Sequence, residues 1–200
     1  MSIDNWGKSC IIVSFYARNW SIVHEDDKKL VENAKKDPQE FAALYDKYFD
    51  QIYRYVYRRV SDKETVHDLV SQTFYDALSH MDSYEWRGYS FSAWLYKIAH
   101  NNVLKWYREH KKIQTVDLDE GSRLKDKSVD ISKEVQDLET KTEIETALAK
   151  LEPEDREIIR LKFFEEVSNV EIAEIMGLSA NHIGVKVFRA LKKVKQILAS

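Results

Sequence analysis

SNVEIAEIMGLSANHIGVKVFRALKKVKQIL, residues 168–198, reads as a helix, a tight turn and a second helix. Ser168 is placed to cap the first helix, and Glu171 three residues later completes a capping box. Ile172, Ala173 and Met176 mark its inward side, and Gly177-Leu178 makes the turn. Ser179 can cap the second helix, whose apolar positions are Ile183, Val187, Ala190, Leu191, Val194 and Leu198. A helix-turn-helix needs a small residue at a sharp turn, an alanine for close helix contact and a second helix free to enter the major groove. All three are here. On the second helix His182, Lys186, Arg189 and Lys193 share one face, with Asn181, Val185 and Lys192 on the adjoining solvent side. From 177 to 200 there are five basic residues and no acidic one, and cations late in a helix also suit its dipole. A solvated amphipathic helix would carry much of this pattern, and a surface position is the default for His182.

Upstream, the chain is helical from Asp37. Asp37-Pro38-Gln39-Glu40 offers a cap, a proline at the first helical position and a glutamate two residues on. Phe41, Leu44, Tyr45, Tyr48, Ile52, Tyr55 and Val56 then recur at helical spacing. Ser61-Asp62-Lys63-Glu64 reads as a second capping box, followed by Val66, Leu69, Val70, Thr73, Phe74, Ala77 and Leu78 facing inward. A polar and aromatic loop, 81–90, precedes a third long helix beginning near Phe91, with Leu95, Ile98, Ala99, Asn102 and Trp106 on its core side. Lys97, Asn101, Lys105 and Arg108 are spaced by four, four and three and share another face, with Trp94 at its edge. Periodicity lapses between Ile113 and Ser132 and resumes from about Val135 to Leu151. Pro153 then opens a helix carrying Ile158, Ile159, Leu161, Phe163 and Phe164.

The expected fold is all-α: two small helical domains joined by a flexible linker, the C-terminal one a helix-turn-helix. The boundaries fall at 1–24 (an extension of unknown role), 25–112, 113–132 (the linker) and 133–200. Only 5 Gly and 2 Pro in 200 residues favour long helices over a strand-rich fold. The net charge of −3 conceals blocks of opposite sign. Segment 84–112 holds six basic residues against two acidic, whereas 151–176 holds eight acidic against three basic. Phosphate binding needs local positive charge, not a basic whole, and the acidic blocks could limit non-specific DNA binding or serve a protein partner.

The single cysteine, Cys10, excludes a disulfide framework within one chain and any multi-cysteine zinc site, and fits a reduced, cytoplasmic setting. The apolar run from Cys10 to Ala17 is too short to cross a bilayer, so no membrane insertion is expected. His67, His80, His100 and His110 stand on different helices or faces, and no metal-ligand cluster, P-loop or nucleophile elbow is present. No catalytic residue, metal or cofactor is expected. The paired acids Asp26-Asp27 and Glu165-Glu166 read as solvated.

Residues about 29–110 and 143–198 resemble the two conserved regions of the extracytoplasmic-function (ECF) group of bacterial RNA polymerase sigma factors. The resemblance rests on Asp37 to Tyr45, Asp68 to Phe74, Phe91 to Asn101, Leu151 to Glu157, Glu171 to Ser179 and Arg189 to Lys193, in this order and spacing. It implies that Asp68, Leu69, Gln72 and Phe74 belong to a surface that docks on the polymerase clamp helices. It implies that the loop and helix over 81–108 melt and read the −10 element. Trp86, Tyr89 and Trp94 could stack unpaired bases, Arg87, Lys97, Lys105 and Arg108 could track the backbone, and Asn101 could bond an extruded base. Core packing is an equal alternative for Trp94. The helix-turn-helix would read the −35 element, with Asn181, His182 and Val185 at base edges and Lys186, Arg189 and Lys193 on the phosphate side. The 151–165 helix would help seat that domain on the polymerase flap.

The implied partners are therefore core RNA polymerase, through its clamp helices and flap, promoter DNA and, as a further class, an anti-sigma factor. Two departures stand out: His67, Ser71 and Gln72 in the docking motif, and Gly184 and Lys186 where Lys and Arg are common in the recognition helix. The rival reading is a stand-alone helix-turn-helix regulator that binds its operator without polymerase. A small helical enzyme and a sigma-like protein that no longer initiates are further alternatives.

Overall fold

A computed structural model describes residues 26–60, 62–86, 88–110 and 143–199. The extension 1–24, the linker 113–132, Arg87 and Ser61 lie outside the described residues. Every regular element among them is helical.

The first body runs from α1 (26–36) through a single 3-10 turn (Pro38–Glu40) into α2 (Phe41–Tyr57), then α3 (Lys63–Ser79), a second 3-10 turn (Met81–Ser83) and α4 (Phe91–His110). The Asp37 side chain accepts from the Gln39 amide, so it caps the 3-10 turn and the α-helix starts four residues later. α3 is capped by the Asp62 carboxylate, which accepts from the Thr65 amide and hydroxyl. The cap is therefore one residue later than the Ser61 box expected from sequence. Phe41, Leu44, Tyr48, Ile52, Tyr55 and Val56 of α2 are buried against Val66, Leu69, Val70, Thr73, Phe74 and Ala77 of α3, and α4 closes the bundle with Phe91, Leu95, Tyr96, Ala99 and Val103. Tyr45 and Leu78, expected inside, are exposed. Each lies one position round its helix from the buried stripe.

The second body comprises α5 (143–149), α6 (Pro153–Phe163), α7 (Asn169–Met176) and α8 (Ala180–Leu198). Pro153 opens α6 where its missing amide hydrogen costs nothing. The Arg156 guanidinium donates to the Leu148, Ala149 and Leu151 carbonyls and so ties off the end of α5. Phe163 and Phe164, which the sequence places on this helix, are exposed where α6 ends. The capping box at α7 is present in both directions: Glu171 N–H donates to Ser168 Oγ, and Ser168 N–H donates to Glu171 Oε2. Gly177 takes φ +68°, the left-handed geometry that ends α7 and that glycine adopts without strain. Ser179 then accepts from the His182 amide and starts α8.

The two bodies are packed together. α4 lies along α7, and one apolar cluster runs from Leu44, Tyr55, Tyr96 and Ala99 to Ile158, Leu161, Ile172, Ala173 and Ile183.

Candidate nucleic-acid interface

The helix-turn-helix presents α8 with Ile183 and Ala190 as its fully buried residues. Asn181, Val185, Phe188 and Lys192 form its exposed ridge, with His182 and Arg189 beside them. Lys186 turns inward instead. Its ammonium donates to Asp155 Oδ1 at 3.1 Å and lies 3.2 Å from Glu154 Oε2. Burial opposes its charge, but the hydrogen bonds with Asp155 and Glu154 hold it above the ordinary lysine range. Lys193 sits 3.5 Å from the other oxygen of Asp155. Of the cations assigned from sequence to the −35 side, Arg189 is therefore the one that points outward without a carboxylate partner among the described residues. Sequence reasoning passed over Phe188, which helical spacing places one turn after Val185.

Around the 84–108 segment the structure separates the expected set. Trp94 packs between Tyr84 and Phe91, with ring centroids at 4.7 and 5.4 Å, so it belongs to the core edge. Trp86 meets Tyr84 edge-on at 6.5 Å and is partly covered. Tyr89 is half-buried, while Asn101, Lys105 and Arg108 are exposed along α4. Lys97 is engaged by Glu174 of α7 at 2.6 Å. On α3, Asp68 and Gln72 are exposed and Gln72 donates to Asp76 at 2.7 Å. Leu69 and Phe74 are buried and support that surface from beneath.

Glu157, Glu165, Glu171 and Glu174 face the first body across the seam between the two. Glu157 receives Arg59 at 2.7 Å and the Tyr55 hydroxyl at 2.8 Å, with His100 at 3.5 Å. Burial disfavours its ionised form, yet the Arg59 guanidinium and the contacts from His100 hold the carboxyl well below the usual carboxylate range. Glu165 takes Arg58 on one oxygen and the Tyr96 hydroxyl on the other, at 2.9 Å. Glu171, besides its capping role, accepts from Ser90 Oγ at 2.6 Å and Ser90 N–H at 3.0 Å. The reading of Glu165 as solvated is corrected: its side chain is 2% exposed. Asp27 is corrected likewise, being buried and bonded by Lys47 and Tyr48. In each case the pattern of adjacent acids was informative only about Asp26 and Glu166, the exposed member of the pair.

Residues 44–113 match the model of Sigma-70 region 2, and residues 141–194 match Sigma-70 region 4. The RNA polymerase sigma factor YlaC of Bacillus subtilis is 33% identical over 155 residues, covering 76% of this chain and 88% of YlaC. The chain belongs to the ECF group of RNA polymerase sigma factors. The sigma factor is also 32% identical over 173 residues to the ECF RNA polymerase sigma factor BldN of Streptomyces coelicolor, covering 85% of itself and 65% of BldN. Its fold resembles that of CnrH in complex with the cytosolic domain of CnrY, at a TM-score of 0.62 and 21% identity over 86% of this chain and 97% of that one. It is similarly close to a sigma factor RpoE bound to the anti-sigma factor NepR from Bartonella quintana, at 0.60 and 23% over 80% and 98%. In this sigma factor the two matched regions are the two bodies that meet at the glutamate seam. Among the described residues no His, Cys, Asp and Glu cluster could hold a metal ion, and no helix is long and apolar enough to cross a membrane.

Proposed function

We propose that this sigma factor joins core RNA polymerase in the cytoplasm and directs it to promoters, contributing recognition while the polymerase supplies the chemistry. The observation that carries the reading is the pair of sigma regions in their proper order, ending in an acid-free helix that presents Asn181, His182 and Arg189 outward. Asp68 and Gln72 on α3 would meet the clamp helices, and the α6 end of the second body would meet the flap. α8 would enter the major groove, with Asn181, His182 and Val185 at base edges and Arg189 on phosphate. The exposed cations Lys105 and Arg108, with Asn101, would hold a displaced strand, and Trp86 and Tyr89 would stack its bases. An anti-sigma factor, the kind of partner that RpoE has in its complex with NepR, is the regulatory class this reading admits.

Run-off transcription with purified core polymerase over a promoter library tests it. Transcripts with defined starts that require the protein are expected, and their absence would refute promoter direction. A gel shift on a selected promoter, with and without core polymerase, separates the stand-alone regulator. Tight sequence-specific binding by the free chain would favour that rival.

A further inference from the structure

α7 lies along the first half of α4 and meets it with two carboxylates. Glu171 Oε1 accepts from Ser90 N–H at 3.0 Å and from Ser90 Oγ at 2.6 Å. Ser90 stands just ahead of α4, and its carbonyl and hydroxyl oxygens both accept from the Ala93 amide. The carboxylate therefore sits at the N-terminus of a 20-residue helix, where free amides and the helix dipole favour an anion. Burial opposes the charge of Glu171, but the bonds from Ser90 and Ser168 hold its carboxyl below the ordinary range, so the group there is an anion. About two turns further along α4, Glu174 reaches Lys97 at 2.6 Å.

Ser90, Lys97, Asn101 and Arg108 lie on one line of α4, since steps of seven, four and seven residues each return close to the same angle at about 100° per residue. α7 covers the first half of this line of donors and leaves Asn101 and Arg108 exposed. The contact adds little to stability by itself. Lys97 and Glu174 are each 40% exposed, and so open an ion pair contributes weakly. The bodies are already held by Glu157 and by the apolar cluster. What Glu171 and Glu174 bring is two anions, three residues apart on one face of α7, set on donors that point away from the bundle core.

A single strand of DNA is a row of anions, and a line of donors and cations is what tracks its backbone. We infer that α7 is an internal stand-in for the displaced promoter strand: Glu171 and Glu174 occupy, at Ser90 and Lys97, the places that two phosphates of that strand take when the bodies part. This adds Ser90 as a phosphate-binding residue, through its amide and hydroxyl at the head of α4. It rests on α4 being the face that holds the displaced strand. Closure of the two bodies and capture of the strand then exclude each other, and a strand must displace α7 before α4 can hold it.

The test uses the full chain, free of polymerase, and a fluorescent single-stranded oligothymidylate, since backbone tracking has no sequence requirement. Glu174→Gln should raise its affinity for the oligonucleotide about two- to fivefold, the worth of an exposed ion pair that no longer competes. Glu171→Gln keeps a side chain able to cap α7 and should raise it about tenfold. Glu143→Gln, the same charge change at an exposed residue of α5, should leave affinity unchanged. In a Lys97→Ala background the gain from Glu174→Gln should vanish, because the two anions then have no ammonium to compete for. Saturating oligonucleotide should also expand the native chain in small-angle scattering, since whatever closure excludes must in turn exclude closure. The inference is overturned by no gain from Glu174→Gln and Glu171→Gln, by an equal gain from Glu143→Gln, by a gain that survives Lys97→Ala, or by binding without expansion. Holoenzyme on a template with a pre-opened −10 bubble separates the two levels. If Lys97→Ala impairs transcription there while the glutamate variants bring the free chain no gain, α4 holds the strand but α7 is not its stand-in. If neither Lys97→Ala nor Ser90→Ala affects the bubble template, α4 does not hold the strand, and the inference falls with that reading.

Discussion

Gly184 lies inside the recognition helix, where glycine costs about 1 kcal/mol relative to alanine. A Cβ there would meet only the Asn169 side chain, at 3.9 Å, an ordinary contact. Gly184→Ala should therefore raise the unfolding free energy by about 1 kcal/mol, read as an increase in melting temperature of the second body. Had the helix needed a close approach at this point, the substitution would lower it. Lys186 and Arg189 make a second contrast at this scale. Lys186→Ala leaves Asp155, which is buried, with only Lys193 nearby, and should destabilise by about 1–3 kcal/mol. Arg189→Ala should leave stability unchanged and lower the salt slope of promoter binding by about one. Equal effects of the two on the salt slope would show that Lys186 leaves Asp155 when DNA arrives. Sequence placed both cations on one face of the helix, whereas Lys186 turns inward and Arg189 outward. It could not show that α6 carries carboxylates to Lys186, because that contact joins positions 31 residues apart.

The helices themselves were legible, and for local reasons. Caps at Asp37, Ser168 and Ser179, Pro153 at a first turn and Gly177 at a left-handed end are written in adjacent residues. The edges of apolar faces were less so: Tyr45, Leu78, Phe163 and Leu191 are apolar at helical spacing yet exposed, since the facing element decides how wide a stripe is covered. For α3 the exposed row holds Asp68 and Gln72. Asp68→Arg should abolish co-purification with core polymerase while leaving the helical signal and melting temperature intact, because the Asp68 side chain itself is exposed and does not enter the core. Retained co-purification would move the docking surface elsewhere. For the 84–108 segment, Trp86→Ala should fail on duplex promoter and recover substantially on a template with a pre-opened −10 bubble. Stacking on an aromatic returns about 1–3 kcal/mol per base, which matters most when the protein must open the DNA itself. Equal impairment on both templates by a folded variant would exclude base capture by Trp86. Trp94→Ala should instead lower the melting temperature, since its ring fills space beside Tyr84 and Phe91.

At the scale of the whole molecule the acidic block 151–176 meets Lys97 of the basic block 84–112 through Glu174, but its main partners, Arg58 and Arg59, lie outside the basic charge blocks. Those blocks hinted that the acids had a partner; that the partner lies in the same chain needed three dimensions. Glu157 is the centre of this contact, with Arg59, His100 and Tyr55 facing it. Its carboxyl lies below its unfolded value, so its contribution is complete above about pH 4.3 and is lost as pH falls through the folded value. Acid should weaken the joint progressively below about pH 4, and the bodies should separate, seen as expansion in small-angle scattering, as pH falls toward the folded value well below the usual carboxylate range. Glu157→Gln leaves Arg59 buried without its counter-charge and should cost the seam about 3–5 kcal/mol, expanding the chain at neutral pH. An unchanged scattering profile for this variant would show that the apolar cluster alone holds the bodies together. The −10 and −35 elements lie about 25 base pairs apart by their names, roughly 85 Å of duplex at about 3.4 Å per pair. A compact body of this size has a radius of gyration of about 16 Å. If the two bodies read those elements as proposed, both can engage one promoter only with the seam open.

Cells ration polymerase among rival sigma factors, and the Arg59–Glu157 contact bears on that contest. A protein whose competent form is a fraction of its total shows an affinity lowered by that fraction. A chain open one time in a hundred competes as though it were about a hundredfold scarcer. Loosening one buried ion pair would then act as a change of gene dosage with no change in synthesis, and tightening it would silence a regulon without touching any surface that meets DNA.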